Sequence, residues 1–433
     1  MQRIVKGPVG LIGAACFLFA ISFQAFAYRD PITTDTGLQG RVQTSLVMSA
    51  LLLGFVAVYK FTDHIRITLP VVCFAIYVSL GLISSPNSFS LYISFGKGVL
   101  VMATLLFAVF AVSSVGYETT VASLYWAMIA VIVAGLILGV LLPGTFPLFF
   151  FSNLQSDVGD WRLRLGLFKT HPITVADICA LTFLLGLGRK GKWVWLAQAV
   201  ALCCTVATVS RGSIAALTAI LIMRFLWLSR LRTSVPVVGV LVVAIATAFI
   251  AGYRADELAR FLPRQVTAAY QASADDPELD GRVPLWAYAI TIMNDHLPFG
   301  FGFDGARMRL MNRFDWAGHS HNSFLETWLI SGPVGLVAFM AGWIITIVRN
   351  SRQPAGRLFL PVHAYLAITS FIGPATTGNA GPGLLLLALA AMAPRPILES
   401  VPAPNLGMRN LVYFPERIQP APAPLRSAFP ASD

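Results

Sequence analysis

His319 and His321 stand two residues apart in Gly318-His319-Ser320-His321-Asn322, immediately ahead of a long apolar run. That spacing puts them on opposite faces of a helix but on one side of an extended loop. Two chemistries are open to such a pair. One is metal binding, but neither a Cys nor a close carboxylate cluster completes a ligand set, so no metal is expected. The other is general-base catalysis, in which a neutral imidazole takes the proton of a hydroxyl nucleophile. A plainer role, capping the helix that follows, suits Asn322. Glu326 lies one turn further on. A carboxylate inside an apolar segment normally has a partner, here a His or Arg that it orients or simply pairs with.

Arg211, in the turn Val209-Ser210-Arg211-Gly212, interrupts a long apolar stretch. A guanidinium there is costly unless paired. Its planar fork suits the oxygen pair of a phosphate. The alternative is snorkelling to lipid headgroups, which the tight-turn residues on either side argue against. Arg282 and Trp286, in Gly281-Arg282-Val283-Pro284-Leu285-Trp286, are four apart and share one face of a helix. They read as a second phosphate-binding Arg beside an interfacial Trp, or as a cation–π contact in a solvated loop. In Pro298-Phe299-Gly300-Phe301-Gly302, backbone amides can approach an anion. Asp177 and His363 also stand inside apolar runs, Asp177 as a structural partner for an outer Arg. The acidic stretch 275–280 reads as a solvated loop.

These residues need a scaffold, and the composition says which kind. Charged residues make up 12% of the chain and hydrophobic ones 56%, against roughly 25% charged in soluble domains. A water-facing surface cannot be covered with so few charges. The expected fold is an all-α polytopic membrane protein, whose helices satisfy their own backbone hydrogen bonds in lipid. Apolar runs near spanning length occur at 8–28, 42–61, 68–84, 98–114, 121–143, 172–188, 193–209, 212–229, 235–252, 323–348, 357–373 and 381–396, giving about twelve transmembrane helices.

The net charge of +11 suggests nucleic acid until its positions are read. With both termini cytoplasmic, sixteen of the 31 Lys and Arg fall on the inner side and only seven in short outer loops. The charge is therefore a topology signal, and no nucleic-acid partner is expected. This orientation puts 144–171, the turn at 209–212 and one long periplasmic loop, 253–322, on the outer face, the last between spans nine and ten. The five Cys lie in apolar runs and read as buried hydrophobes rather than disulfides. Ala25-Phe26-Ala27 looks like a cleavage site, but the run before it is longer than a signal peptide's, so an uncleaved span is expected. Residues 1–394 read as the transmembrane domain, and the Pro- and Ala-rich segment 395–433 as a disordered cytoplasmic tail.

His321-Asn322, followed after nine residues by Gly332-Pro333-Val334-Gly335, resembles the signature of bacterial O-antigen ligases and the related exopolysaccharide polymerases. Ser210-Arg211-Gly212 looks like that family's Ser-Arg-Gly turn. Gly281-Arg282 with Trp286, then Pro298, Gly300 and Gly302, is similar to its long outer loop, and Arg164 to Gly166 with Phe168 to its earlier one. The likeness covers roughly residues 160–340. Val209 stands where a Thr is common, and His171-Pro172 where Pro-Asn is.

The resemblance implies an inverting, metal-independent glycosyltransferase of the bacterial inner membrane, working without a cofactor at the periplasmic face among membrane lipids. It would move a glycan from an undecaprenyl-diphosphate carrier to lipid A core or, as a polymerase, to a second lipid-linked glycan. It assigns Arg211, Arg282 and Arg164 to the diphosphate and His321, or else His319, to the base. Glu326, Asn322, Trp286, Gly332 and Gly335 become supporting residues. The rival class is a secondary transporter, which predicts similar halves and paired carboxylates at the midplane. Here no internal repeat is visible, and the polar residues gather on one face.

Overall fold

The computed structural model describes residues 2–24, 37–62, 64–143, 146, 148–151, 163–168, 170, 172–228, 282–294, 298–314, 317–373, 376–377 and 380–394. In chain order the helices are α1 (Gln2–Gln24), α2 (Gly37–Phe61), α3 (Leu69–Ile83), α4 (Leu91–Val115), α5 (Tyr117–Leu141), α6 (Pro172–Gly186), α7 (Lys192–Ala207) and α8 (Arg211–Leu228). After residues 229–281 come α9 (Arg282–Asn294), α10 (Arg307–Met311), α11 (Ser323–Ser351), α12 (Pro354–Arg357), α13 (Leu360–Ser370) and α14 (Pro382–Ala391). Strands β1 (Phe149–Phe151) and β2 (Leu163–Leu165) pair antiparallel, with Phe150 opposite Arg164.

The helix boundaries follow local chemistry. Ser90 caps α4 through its side chain, Gly116 turns the chain between α4 and α5 at φ 87°, and Pro70 opens α3, where its missing N–H costs nothing. Aromatic side chains join the helices. Phe19 of α1 stacks on Phe107 of α4 at 4.3 Å, and Phe74 and Tyr77 of α3 meet Phe339 of α11 at 5.6 and 5.3 Å.

This is a mostly helical membrane protein. Among the described residues, helices long and apolar enough to cross a bilayer cover Arg41–Phe61, Leu91–Val115, Tyr117–Leu141 and Ser323–Ser351. Shorter apolar helices stand at the expected spans 8–28, 68–84, 172–188, 193–209 and 381–396. The expected span 235–252 lies outside the described residues. The expected spans 357–373 and 381–396 shrink to the 11 residues of α13 and the 10 of α14. At about 1.5 Å per residue neither crosses the ~30 Å hydrocarbon core alone.

The described part of the expected loop 253–322 is largely structured. Leu285, Met293, Phe301 and Leu310 bury a small apolar core of their own against Leu329 of α11. The chain divides into Met1–Arg395 and Pro396–Asp433. The second unit, the expected cytoplasmic tail, lies outside the described residues.

Helix α11 is broken in the middle. Gly332 has φ 73° and ψ −177°, and Pro333 follows it. Pro333 has no N–H to donate to the Leu329 carbonyl, four residues back. The long segment supplies the missing donors: Phe301 N–H reaches Leu329 O at 2.7 Å, and Gly302 N–H reaches Ile330 O at 2.9 Å. In an apolar medium such carbonyls must find partners. Gly300 and Gly332 permit the close approach. A Cβ on Gly300 would strike the Ile330 carbonyl, and one on Gly332 the carbonyl of Pro298. Gly332 and Gly335, expected as supporting residues, therefore act through packing, since a Cβ on Gly335 would run into Ser331.

Candidate functional site

The start of α11 holds the histidine loop. Asn322 is extended at φ −151°, and its Oδ1 accepts from the N–H groups of Phe324 and Leu325 at 2.9 and 3.1 Å. It is the helix cap. His321, just before it, sits at φ 53°, a left-handed conformation uncommon outside glycine. Surrounding contacts hold it there. Ser320 is fully buried, and its N–H and hydroxyl both lie against Glu326 Oε2, at 2.9 and 2.8 Å. Its carbonyl accepts from Trp286 Nε1 at 2.9 Å. The sequence pattern pointed Glu326 at a His or Arg. Its carboxylate instead clamps the residue between the two histidines.

The imidazoles of His319 and His321 lie 4.0 Å apart between ring centroids. The His321 N–H donates to His319 Nδ1 at 3.1 Å. A nitrogen accepting that bond carries no proton, so the neutral ring bears its hydrogen on Nε2. Burial first, then the neighbouring Arg307, hold the His319 imidazole down at about 4, against a partial opposing pull from Asp304. His319 is thus a neutral donor near pH 7.

The arginines approach from other elements. Arg282 opens α9 and donates from Nη1 to the Ile372 carbonyl at 3.2 Å. Trp286, one turn on, reaches the histidine loop, so the pair does share a face. Arg211 is the first residue of α8 and is exposed. Val209 turns the chain before it at φ 52°, and Arg164 Nε donates to the Thr208 carbonyl of the same turn at 3.0 Å. Below the turn, Ser210 Oγ lies 3.1 Å from Ser213 Oγ, which donates to Asp177 Oδ1 at 2.9 Å. Tyr365 of α13 donates to the same oxygen at 2.6 Å. Asp177, expected to partner an outer Arg, is held by these hydroxyls and ties α6, α8 and α13 together beneath Arg211.

One segment connects these parts. A Cβ on Gly212 would run into the Ile372 side chain, Arg282 binds the Ile372 carbonyl, and Ser323 Oγ donates to the Gly373 carbonyl at 2.9 Å. The chain after α13 is therefore the shared neighbour of the Arg211 turn, of Arg282 and of the helix that carries His321. The sequence reading missed it; the available signal is the polar break between two apolar runs at 373–381. It also missed Arg307, and Lys97, whose Nζ lies 2.7 Å from Asp304 Oδ1. His363 is a core residue, accepting from Trp343 Nε1 at 3.2 Å and facing Asn350 Nδ2 at 3.0 Å.

Residues 196–340 match the family profile described as O-antigen ligase. That match supports membership of the O-antigen ligase-like superfamily. The matched stretch takes in Arg211, Arg282, Trp286, both histidines, Glu326 and the Gly332–Gly335 kink, and leaves out Arg164. The likeness suggests a membrane enzyme of the glycan ligase or polymerase type. No curated protein and no solved structure matches the chain.

Proposed function

We propose that the protein transfers a glycan from an undecaprenyl-diphosphate carrier to a hydroxyl of lipid A core at the periplasmic face of the inner membrane. The observation that carries this is the meeting of Arg282, the Arg211 turn and the His321 helix around 372–373. His321 takes the proton of the acceptor hydroxyl as its oxygen attacks the anomeric carbon. The bond from that carbon to the diphosphate oxygen breaks on the opposite face, so configuration inverts. The departing undecaprenyl diphosphate gains negative charge, which Arg211 and Arg282, with Arg164 behind them, stabilise as fixed cations. His319 donates from Nε2 and keeps the loop in register.

Polymerisation needs the same residues and differs in the acceptor, a second lipid-linked glycan. The test is purified protein in liposomes with a lipid-linked glycan donor and, in separate arms, lipid A core or donor alone. Wild type is expected to modify lipid A core. His321→Ala and the Arg211→Ala, Arg282→Ala double variant are expected to insert normally and transfer nothing. Product in the donor-only arm alone would replace ligation by polymerisation, and full activity of the double variant would remove the diphosphate cradle.

A further inference from the structure

Ser323 opens α11 directly after His321-Asn322, and the helix itself does not need its hydroxyl. Asn322 already supplies the acceptor for the helix-start N–H groups of Phe324 and Leu325, and alanine is the better helix former. Yet Ser323 is fully buried, and it directs its hydroxyl across the molecule. The Oγ donates to the Gly373 carbonyl at 2.9 Å and accepts the Thr376 N–H at 3.4 Å. The Ser323 carbonyl accepts from Thr377 Oγ1 at 3.1 Å, besides the bond from Thr327 one turn on at 2.7 Å. Thr376 and Thr377 are buried with it, and the Phe324 and Phe371 rings meet at 5.0 Å. The first residue of α11 therefore fastens the segment after α13 at two places, residue 373 and residues 376–377.

The residue before Gly373 is Ile372. Its carbonyl takes Arg282 Nη1, and its side chain lies where a Cβ on Gly212, beside Arg211, would strike it. Neighbouring carbonyls, those of Ile372 and Gly373, thus receive Arg282 and Ser323. Planar peptide units leave little slack between such neighbours. Ser323 in turn stands two residues from His321. The shortest covalent and hydrogen-bonded route from Arg282 to the histidine loop by way of this segment runs through the Ser323 hydroxyl.

We propose that Ser323 is a positioning residue, which fixes through residues 372–377 the separation between the His321 imidazole and the arginines on the donor side. The assignment rests on the glycosyl-transfer reading above, in which base and departing diphosphate stand on opposite faces of one anomeric carbon. In such a geometry a misplacement near 1 Å lowers the rate by up to about 100-fold. Ser323 touches no reacting atom, so its loss acts on the rate of transfer and leaves substrate binding in place.

The experiment is steady-state transfer by full-length protein in liposomes with a lipid-linked glycan donor and, in separate arms, lipid A core or donor alone as acceptor. Wild type, Ser323→Ala and Thr377→Val are compared, with melting curves for each. Ser323→Ala is expected to lower kcat about 10- to 100-fold and to leave KM for donor and acceptor within about 2-fold of wild type. Thr377→Val, which removes the second fastening and keeps the Ser323 hydroxyl, is expected to lower kcat by a smaller factor in the same way. Wild-type kcat in Ser323→Ala overturns the proposal, and so does a loss that falls wholly in KM. If Ser323→Ala is unfolded at the assay temperature, Thr377→Val decides, and an unchanged kcat there overturns the proposal. A wild-type chain that transfers nothing in either arm removes the glycosyl-transfer reading itself, and this role with it.

Discussion

Adding a single carbon at Gly332 is expected to cost more than adding one at an ordinary helical glycine. Its φ of 73° with ψ of −177° lies in a region open essentially to glycine alone, where another residue is strained by about 1–3 kcal/mol. The new Cβ would also meet the Pro298 carbonyl, a backbone atom that cannot swing aside, for about 1–3 kcal/mol more of overpacking. Together this is roughly 2–6 kcal/mol, a large share of a folded domain's usual 5–15 kcal/mol. The strain falls where Phe301 and Gly302 dock on the broken helix, so the loss should reach the histidine loop as well. The assay is thermal unfolding in detergent for Gly332→Ala, with Gly13→Ala as the control. A Cβ at Gly13 meets nothing within 4 Å, and in mid-helix it should add about 0.5–1 kcal/mol of stability. Unfolding of Gly332→Ala within a degree or two of wild type, with the control stabilised, would refute the idea that the kink requires glycine.

Acid should loosen the histidine loop. The His319 imidazole sits at about 4 when folded, below the ~6.5 of an unfolded histidine. The unfolded chain therefore binds more protons between these values. The contribution, about 3 kcal/mol at most, is present above pH ~6.5 and lost as pH falls through about 4. Melting curves from pH 7 to 4 should show this slope in wild type and a shallower one in His319→Asn. Glu326→Ala leaves the buried Ser320 N–H without its acceptor, so stability should fall by about 1–3 kcal/mol; transfer by this variant at the wild-type rate would show that the clamp does not position His321. Asn322→Ala removes the acceptor for two helix-start N–H groups and is expected to cost about 1 kcal/mol in the same melts, against only a few tenths for Asn322→Gly.

Whatever depends on a few neighbouring residues was legible in the chain itself. A run of apolar side chains that must hide its own backbone in lipid becomes a helix wherever it lands, and most of the expected spans within the described residues accordingly contain helices, though only four of those are long and apolar enough to cross. The cap at Asn322, the shared face of Arg282 and Trp286, and the tight turn ahead of Arg211 are likewise set within a turn or two, by helix geometry and local backbone chemistry. Only the tertiary structure decided what each polar group meets. Glu326 takes Ser320 rather than a cation, Asp177 takes two hydroxyls, and Arg282 and Ser323 meet on a segment some fifty to ninety residues away in sequence. No periodicity encodes such pairings. They arise because a buried donor or acceptor accepts whichever complementary atom packing brings within about 3 Å, and packing is a property of the whole bundle.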